Sequence, residues 1–509
     1  MSVDSKHPLY SEFSVDWVQM RDTFRGQRIV KEKGFTYLPA TSGQVEDGAM
    51  TSTSTDGYKA YDAYRKRARC PDSVTETVEG ALGVMHQKPA VVEVPAAMDF
   101  ILERATLKNE SLQMLLQRVN EEQLITGRVG LLIDIQDKGE FAGQPYIAVY
   151  NAEDIINWDD GTREETEQAS LNLVVLNESE PERQSDFSWE DKEKYRVLVL
   201  GDIDENEAEG EPGAVYRVGV FDEDLNFSPE KLEEPTSTRG VLDRIPFVFI
   251  NTKDVVAAPD DPPLIGLSNL VLTIYRGEAD YRQALFLQGQ DTLVTIGAIT
   301  EEGETQRVGT GAAIDLPAGG DAKYIGVSGD GLSEQRQALE NDYNQAAKKG
   351  GEMLDASDAG GNAESGEALK IRVAARTATL NQVAITGAFG VEMLLKIMAI
   401  WLGLNPDEIT ISPNLDFIDD RMTGQELGQL QGAKVMGSPI SDETIHEQMQ
   451  DRGLTKLTYE EERARMTAEA EAGVGMPMVG PEDEEDEDEN EDENDDENDD
   501  ENDTSSGEA

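Results

Sequence analysis

The sequence predicts an α+β fold, and three features predict it. Apolar and β-branched runs of strand length recur between residues 128 and 250, stretches with helical apolar spacing lie on both sides of them, and one uninterrupted helix covers residues 367–403. At 509 residues the chain is long enough for about three domains with real cores.

Taken in order, residues 1–97 start with a short helix through Trp17, Met20 and Phe24, followed by an extended arm from Gly34 to Pro39 and a Ser-, Thr- and Gly-rich loop over 41–57. Lys59, Arg65, Lys66, Arg67 and Arg69 then interleave with Tyr58, Tyr61 and Tyr64. Such a mixture either grips a nucleic-acid strand by stacking and phosphate contact or forms an amphipathic helix facing acidic neighbours. The acidity of the chain favours the second. Residues 111–125 are amphipathic through Leu112, Leu115, Leu116 and Val119 and feed the apolar strand 128–135. Strands are expected at 146–150, 171–176, 195–200 and 215–221, with the charged turns 159–168 and 177–191 in solvent.

Asp260-Asp-Pro-Pro263 stops the β-rich region, because two prolines continue neither a ladder nor a helix interior. A helix over 264–288 follows, striped by Leu267, Leu270, Val271, Ile274, Tyr281 and Leu285. Short extended pieces at 292–299, 312–316 and 323–327 make a small β module before the next helix, 331–355. There Leu332, Leu339, Tyr343, Ala346, Gly350 and Met353 form a narrow stripe at steps of mostly three or four. The glycines and short polar residues of 355–366 break the helix. From 367 to 403 no proline intervenes, and Leu380, Ala384, Gly387, Val391, Leu394, Met398 and Trp401 trace a face along roughly 55 Å of helix. Beyond Asn405-Pro406 come a short strand at 409–411 and a helical cluster over 423–471, signalled by capping boxes at Thr423 to Glu426 and Thr458 to Glu461. A Gly- and Pro-bearing linker then leads into an Asp/Glu/Asn tail unable to bury a core.

Charge and composition close off several functions. Formal net charge is −59; the 19 acids from Glu482 to Glu508 leave 84 others against 44 bases. A chain so acidic repels phosphate, which disfavours a general nucleic-acid binder. One cysteine, Cys70, forbids an intrachain disulfide, and three dispersed histidines, His7, His86 and His446, argue against zinc chemistry or a catalytic triad. No P-loop occurs. Asp202 to Asn206 starts like a calcium loop, but Glu207 and Gly213 stand where glycine and glutamate are needed. No leader-like apolar segment is present, and the uncharged stretch 377–391 is flanked by Arg376 and Glu392, so a soluble, unsecreted protein with a buried helix is expected.

The order of parts resembles the portal proteins of tailed bacteriophages over roughly residues 10–460. The likeness is carried by Pro246-Phe247 ahead of Pro262-Pro263, by residues 270–287 with Tyr275 and Asp280-Tyr281, by Lys348-Lys-Gly-Gly-Glu-Met-Leu-Asp355, and by Ala363-Glu-Ser-Gly-Glu-Ala-Leu-Lys370 before the long helix. It implies a wing at 1–261, stem helices at 262–288 and 331–355 around a clip at 289–330, a tunnel loop at 356–366, a long wing helix at 367–404, a crown at 405–471, and a linker with a disordered acidic tail at 472–509. It further implies a ring, usually of twelve copies, at one capsid vertex of the virion, assembled in the host cytoplasm. Double-stranded DNA would pass through without sequence-specific binding. Terminase large subunit and a head-completion or adaptor protein would dock on it, with major capsid and scaffolding proteins around it. Asp355, Ser357, Asp358, Gly360, Gly361, Asn362 and Glu364 would face the channel, as would Lys348 and Lys349 unless those two complement the carbonyl end of their own helix. No catalytic, metal, cofactor or membrane site is expected. The competing reading is a soluble acidic scaffold or chaperone that binds basic proteins through its tail, and gel filtration separates a small oligomer from a ring of several hundred kilodaltons.

Overall fold

The computed structural model describes residues 2–136, 139, 141–161, 171–201, 215–222, 225–235, 240, 242–289, 292–296, 316, 318–325, 331–354, 366–415, 424–451 and 454–471; of 292–293, 324–325, 352–354, 366–377, 424–427, 429, 451 and 469–471 it describes the backbone alone. Two compact units divide at residue 417. Unit one opens with α1 (Pro8–Phe24), α2 (Gln27–Glu32), α3 (Ser42–Glu46), α4 (Asp56–Arg67) and α5 (Ser73–Met85), then β1 (Val91–Glu93), the single turn α6 (Phe100–Glu103) and α7 (Leu112–Thr126). A β-rich stretch follows: β2 (Arg128–Ile135), β3 (Pro145–Asn151), β4 (Ile155–Asp159), β5 (Leu173–Asn177), β6 (Glu180–Ser185), β7 (Ser188–Lys192), β8 (Tyr195–Leu200), β9 (Tyr216–Phe221) and β10 (Phe247–Asn251). The unit ends with α8 (Ile265–Gln288), β11 (Thr292–Ile296), β12 (Asp321–Ile325), α9 (Leu332–Leu354), α10 (Gly366–Leu402) and β13 (Thr410–Ser412).

Every strand pair is antiparallel, in sheets ordered β10-β2-β3 and β4-β5-β8-β9 and in the pairs β1-β13, β6-β7 and β11-β12. β2 is buried from Arg128 to Ile133, which is why it reads as an unbroken apolar run. Two apolar cores result. One joins both larger sheets to α7 and the second half of α10; the other gathers α4, α5 and α8 around Leu380, Val383 and Ala384 of α10. At their seam, Arg21 of α1 forks between Glu122 of α7 at 2.7 Å and Glu153 at 2.9 Å.

Glycine brings α10 close to its neighbours. A Cβ on Gly390 would stand 2.4 Å from Ile250 Cγ1 of β10, and one on Gly387 would stand 2.4 Å from Asn120 Nδ2 of α7. Polar side chains buried there are paired in part, with Asn251 Oδ1 left without a partner among the described residues. Asn120 donates to Gln123 Oε1 at 2.8 Å, and Gln123 donates to the Asn251 carbonyl at 2.6 Å. The span Ala378–Leu402 is long and apolar enough to cross a membrane by length and composition, yet 61% of its apolar window is buried inside the protein, as in a core helix.

Several expectations need adjusting. Gly34 to Thr36 form a 3-10 turn instead of an extended arm, because Tyr37 and Leu38 are buried and Tyr37 donates to Asp22 at 2.7 Å. The loop 41–57 contains α3, held by a Thr41/Gln44 capping box. The turn 177–191 is in solvent as expected but is ordered into β6 and β7. Residues 405–415 pack in unit one, since β13 pairs with β1, so the C-terminal helices start later than position 405. The expected extended piece 312–316 lies outside the described residues except at Leu316.

Unit two contains α11 (Gly424–Val435), α12 (Asp442–Asp451) and α13 (Tyr459–Glu471). Ser441 Oγ accepts from Thr444 N at 3.0 Å, and Thr458 and Glu461 exchange the two bonds of a capping box at 3.4 and 2.9 Å. Thr423 lies outside the described residues. Among the described residues of this unit, Ile445 and His446 alone are buried, while Val435 and Met436 stand 87% and 89% exposed.

Replacing Gly390 by Val is expected to lower the unfolding free energy by about 1–3 kcal/mol through overpacking. Gly83→Ala, on an exposed turn of α5 where a Cβ meets nothing within 4 Å, is expected to raise it by about 0.5–1 kcal/mol. Denaturant titration of the two variants checks both signs.

Candidate functional site

The stretch that sequence reasoning singled out, from Pro262 to the start of α10, is a helical pair with a β hairpin between its members. α8 is anchored first: Leu267, Val271, Ile274, Tyr275 and Ala279 are buried in the second core. From Asp280 onward α8 leaves that core, and Leu285, Phe286 and Leu287 are 40%, 39% and 47% exposed. α9 returns beside it through Leu339, Tyr343 and Ala346, the expected stripe. Tyr343 donates to Glu278 Oε1 at 3.2 Å, and Glu278 also pairs with Arg282 one turn on. At Gly350 the helix meets α5 so tightly that a Cβ would lie 2.6 Å from Thr77 Oγ1.

Outside that stripe α9 is solvated. Every residue from Ser333 to Ala338 is exposed, as are Glu340, Asn341, Asn344, Gln345, Lys348 and Lys349. The exposed face therefore mixes neutral amides with charges of both signs. At the far end β11 and β12 pair from Thr292↔Ile325 to Ile296↔Asp321. Residues 297–315 and 326–330 lie outside the described residues.

The basic and aromatic helix α4 braces α8. Tyr64 donates to Asp280 Oδ1 at 2.6 Å, and Arg67 donates to Gln283 Oε1 at 2.5 Å while its guanidinium lies 3.7 Å over the Phe286 ring. Tyr61 and Tyr64 are buried, and Arg65 and Lys66 both pair with Asp62. Of the two readings of this segment, the structure takes the amphipathic helix facing acidic partners. Nothing in the local pattern marks the acidic Asp280 or the neutral Gln283 as its partners, because each contact spans 216 residues.

Lys348 and Lys349 are exposed on α9, and the last turn of that helix contains no base, so neither sits at its carbonyl end. Lys349 instead reaches across the first turn of α8: its Nζ lies 2.9 Å from where a Cβ on Gly266 would be. Asp355, Ser357, Asp358, Gly360, Gly361, Asn362 and Glu364 lie outside the described residues. Replacing Leu339 by Ala removes the large buried apolar side chain that α9 sets against α8 and is expected to cost about 2–5 kcal/mol. Limited proteolysis should then cut within α9 sooner than in the parent chain.

Residues 263–402, from the proline break to the end of α10, match a family described as a domain of unknown function (DUF4055). No curated protein matches the chain. Among solved structures, chains of two particles titled "Neck of native GTA particle computed with C12 symmetry" and "Virion of native gene transfer agent (GTA) particle" are similar at 12% identity, with TM-scores of 0.34 and 0.36, over 74% of this chain and 89% of theirs. A chain of "Neck of empty GTA particle computed with C6 symmetry" is similar at 14% identity, with a TM-score of 0.34, over 77% of this chain and 90% of its own. At such scores the likeness stops short of a shared overall fold.

Proposed function

We propose that this chain is the portal subunit of a tailed-phage-like particle. Copies of it form a ring at one capsid vertex, through which double-stranded DNA is packaged and ejected, and the ring is the docking platform for terminase and head-tail connector proteins. The protein performs no chemistry of its own. The observation that carries this reading is the arrangement of α8, β11-β12, α9 and α10. An anchored helix leaves the core, a small β hairpin follows, a mostly solvated helix returns beside it, and a long helix runs on through two cores. α8 and α9 serve as the stem, β11-β12 belongs to the clip, α10 is the wing spine, and α11 to α13 belong to the crown. The crown helices bury too little on their own to be stable alone, and a ring of copies supplies the missing neighbours.

The physics of the exposed α9 face suits a channel. Binding to DNA strengthens with each phosphate neutralised by a cation, so a surface of amides and balanced charges leaves the duplex free to slide. Lys348 and Lys349 supply local positive charge, and Lys349 gains little from the protein itself, since a cation beside the positive end of the α8 dipole is not stabilised there. They are the candidate phosphate contacts, whereas the acidic tunnel loop of residues 356–366 would repel phosphates and keep the duplex centred.

Averaged electron micrographs of the purified chain should show a ring with a central hole, most often of twelve copies; a monomer or a small oligomer without a hole overturns the proposal in favour of an acidic scaffold. In particles assembled from the Lys348→Glu, Lys349→Glu variant, packaged DNA per particle should fall while ring formation stays at the parent level. Unchanged DNA content would remove both lysines from the channel.

A further inference from the structure

Residues 2–7 form a strap that runs from the segment after β9 to β4, an edge strand of the four-stranded sheet. Val3 N donates to the Leu225 carbonyl at 2.8 Å, Ser2 makes an antiparallel bridge with Asn226, and His7 N donates to the Ile156 carbonyl of β4 at 2.9 Å. Val3 is buried there, while Ser2, Asp4, Ser5 and Lys6 are exposed. Edge-strand backbone groups pair with other chains when they are uncovered.

His7 fastens the strap with its side chain as well. It is the N-cap of α1, and its Nδ1 accepts from Leu9 N at 3.2 Å, which requires that nitrogen to carry no proton. The imidazole stacks on Trp158 of β4 at 4.1 Å. That ring already serves a cation, because the Arg128 guanidinium at the start of β2 lies 4.3 Å from it. Arg128 is fully buried, and among the described residues no atom accepts from its three nitrogens, so its charge is left uncancelled at close range.

The charges that face His7 are Arg128 from β2 and Asp159 and Asp160 at the end of β4; Lys6, next to it in the chain, lies over the Tyr10 ring. Burial and then Arg128 push the imidazole below its usual value of 6.5, against the opposite pull of Asp160 and Asp159. A second proton would also set a donor on Nδ1 against the Leu9 N–H and place a cation at the positive end of the α1 dipole.

We propose that His7 is a proton-operated latch on the strap. With the ring neutral, residues 2–7 stay docked on β4 and on residues 225–226; with the ring protonated, cap and stack give way and the strap lifts. The lifted strap binds the proton more tightly than the docked one, so docking is complete above 6.5 and is lost as pH falls from there through the lower pKa of the docked ring. The latch belongs to a single chain and does not depend on ring formation.

Hydrogen exchange of the full-length chain, read by mass spectrometry at about pH 7.5 and about pH 5 and corrected for intrinsic rates, tests the strap directly. Protection of residues 2–10 should fall about fivefold or more at the lower pH, as expected for a lost N-cap, while peptides of α7 stay protected. His7→Asn, whose side-chain oxygen caps without titrating, should hold the strap equally at both pH values. Equal loss in parent and variant assigns the effect to another group, such as Asp154, which burial pushes up to about 6, and overturns the latch. Unchanged protection in the parent, or loss that extends through α7, overturns it too. In carbon-13 spectra of the parent, the His7 ring should titrate below 6.5; a value at or above 6.5 overturns the latch whether or not the variant folds.

Discussion

Much of unit one depends on how closely α10 approaches α7 and β10. Because Gly387 and Gly390 present no side chain there, the helix axis lies within reach of both elements, and the residues on either side of the glycines enter different cores. Interiors packed to crystal-like density transmit displacement instead of absorbing it. A shift of α10 away from β10 would therefore loosen the sheets at one end and the α4-α5-α8 cluster at the other. α8 is held mainly by that second cluster, so the position of the exposed helical pair is set by a contact made by glycine.

Charge is organised around the same plan. In a chain with 103 acids and 44 bases, the arginines at element seams are consumed internally. Arg21 forks between Glu122 and Glu153, and Arg196 between Glu178 at 2.7 Å and Asp134 at 2.8 Å. Arg128 differs, since it is fully buried without a hydrogen-bond partner for its guanidinium, between the rings of Trp158 and Phe249 at 4.3 Å each. Burial lowers its pKa to about 9. With these arginines held in the interior, the acid excess remains for the surface, and such self-repulsion weakens as salt rises.

What the sequence made legible follows the strength of local signals. The stripe Leu339, Tyr343, Ala346 and Gly350, the proline stop at Pro262-Pro263, the apolar β2 run and the uninterrupted α10 could each be read within a few turns of chain, and the structure contains each. β4 was harder, because Asn157 and Asp159 interrupt an apolar segment that only pairing with β5 explains. The β6-β7 hairpin reads as a charged turn because its residues face water on both sides and lack alternation. The bracing of α8 by α4 had no local signature at all: Tyr64 and Arg67 look like a nucleic-acid surface until Asp280 and Gln283 come beside them. Of the nine expected channel residues, the two lysines are placed by α9, and the other seven lie outside the described residues.

The bracing by α4 also has a mechanical meaning. Tyr64 and Arg67 hold α8 at Asp280 and Gln283, like a collar around a shaft. Past Gln283 about 8 Å of helix remain before its end at Gln288, given a rise of ~1.5 Å per residue. A push on the β11-β12 end thus acts on a short lever and reaches the body along the helix axis. Sideways bending would first have to pull Arg67 off the Phe286 ring, so the N-terminal helices set how stiffly the distal hairpin is held.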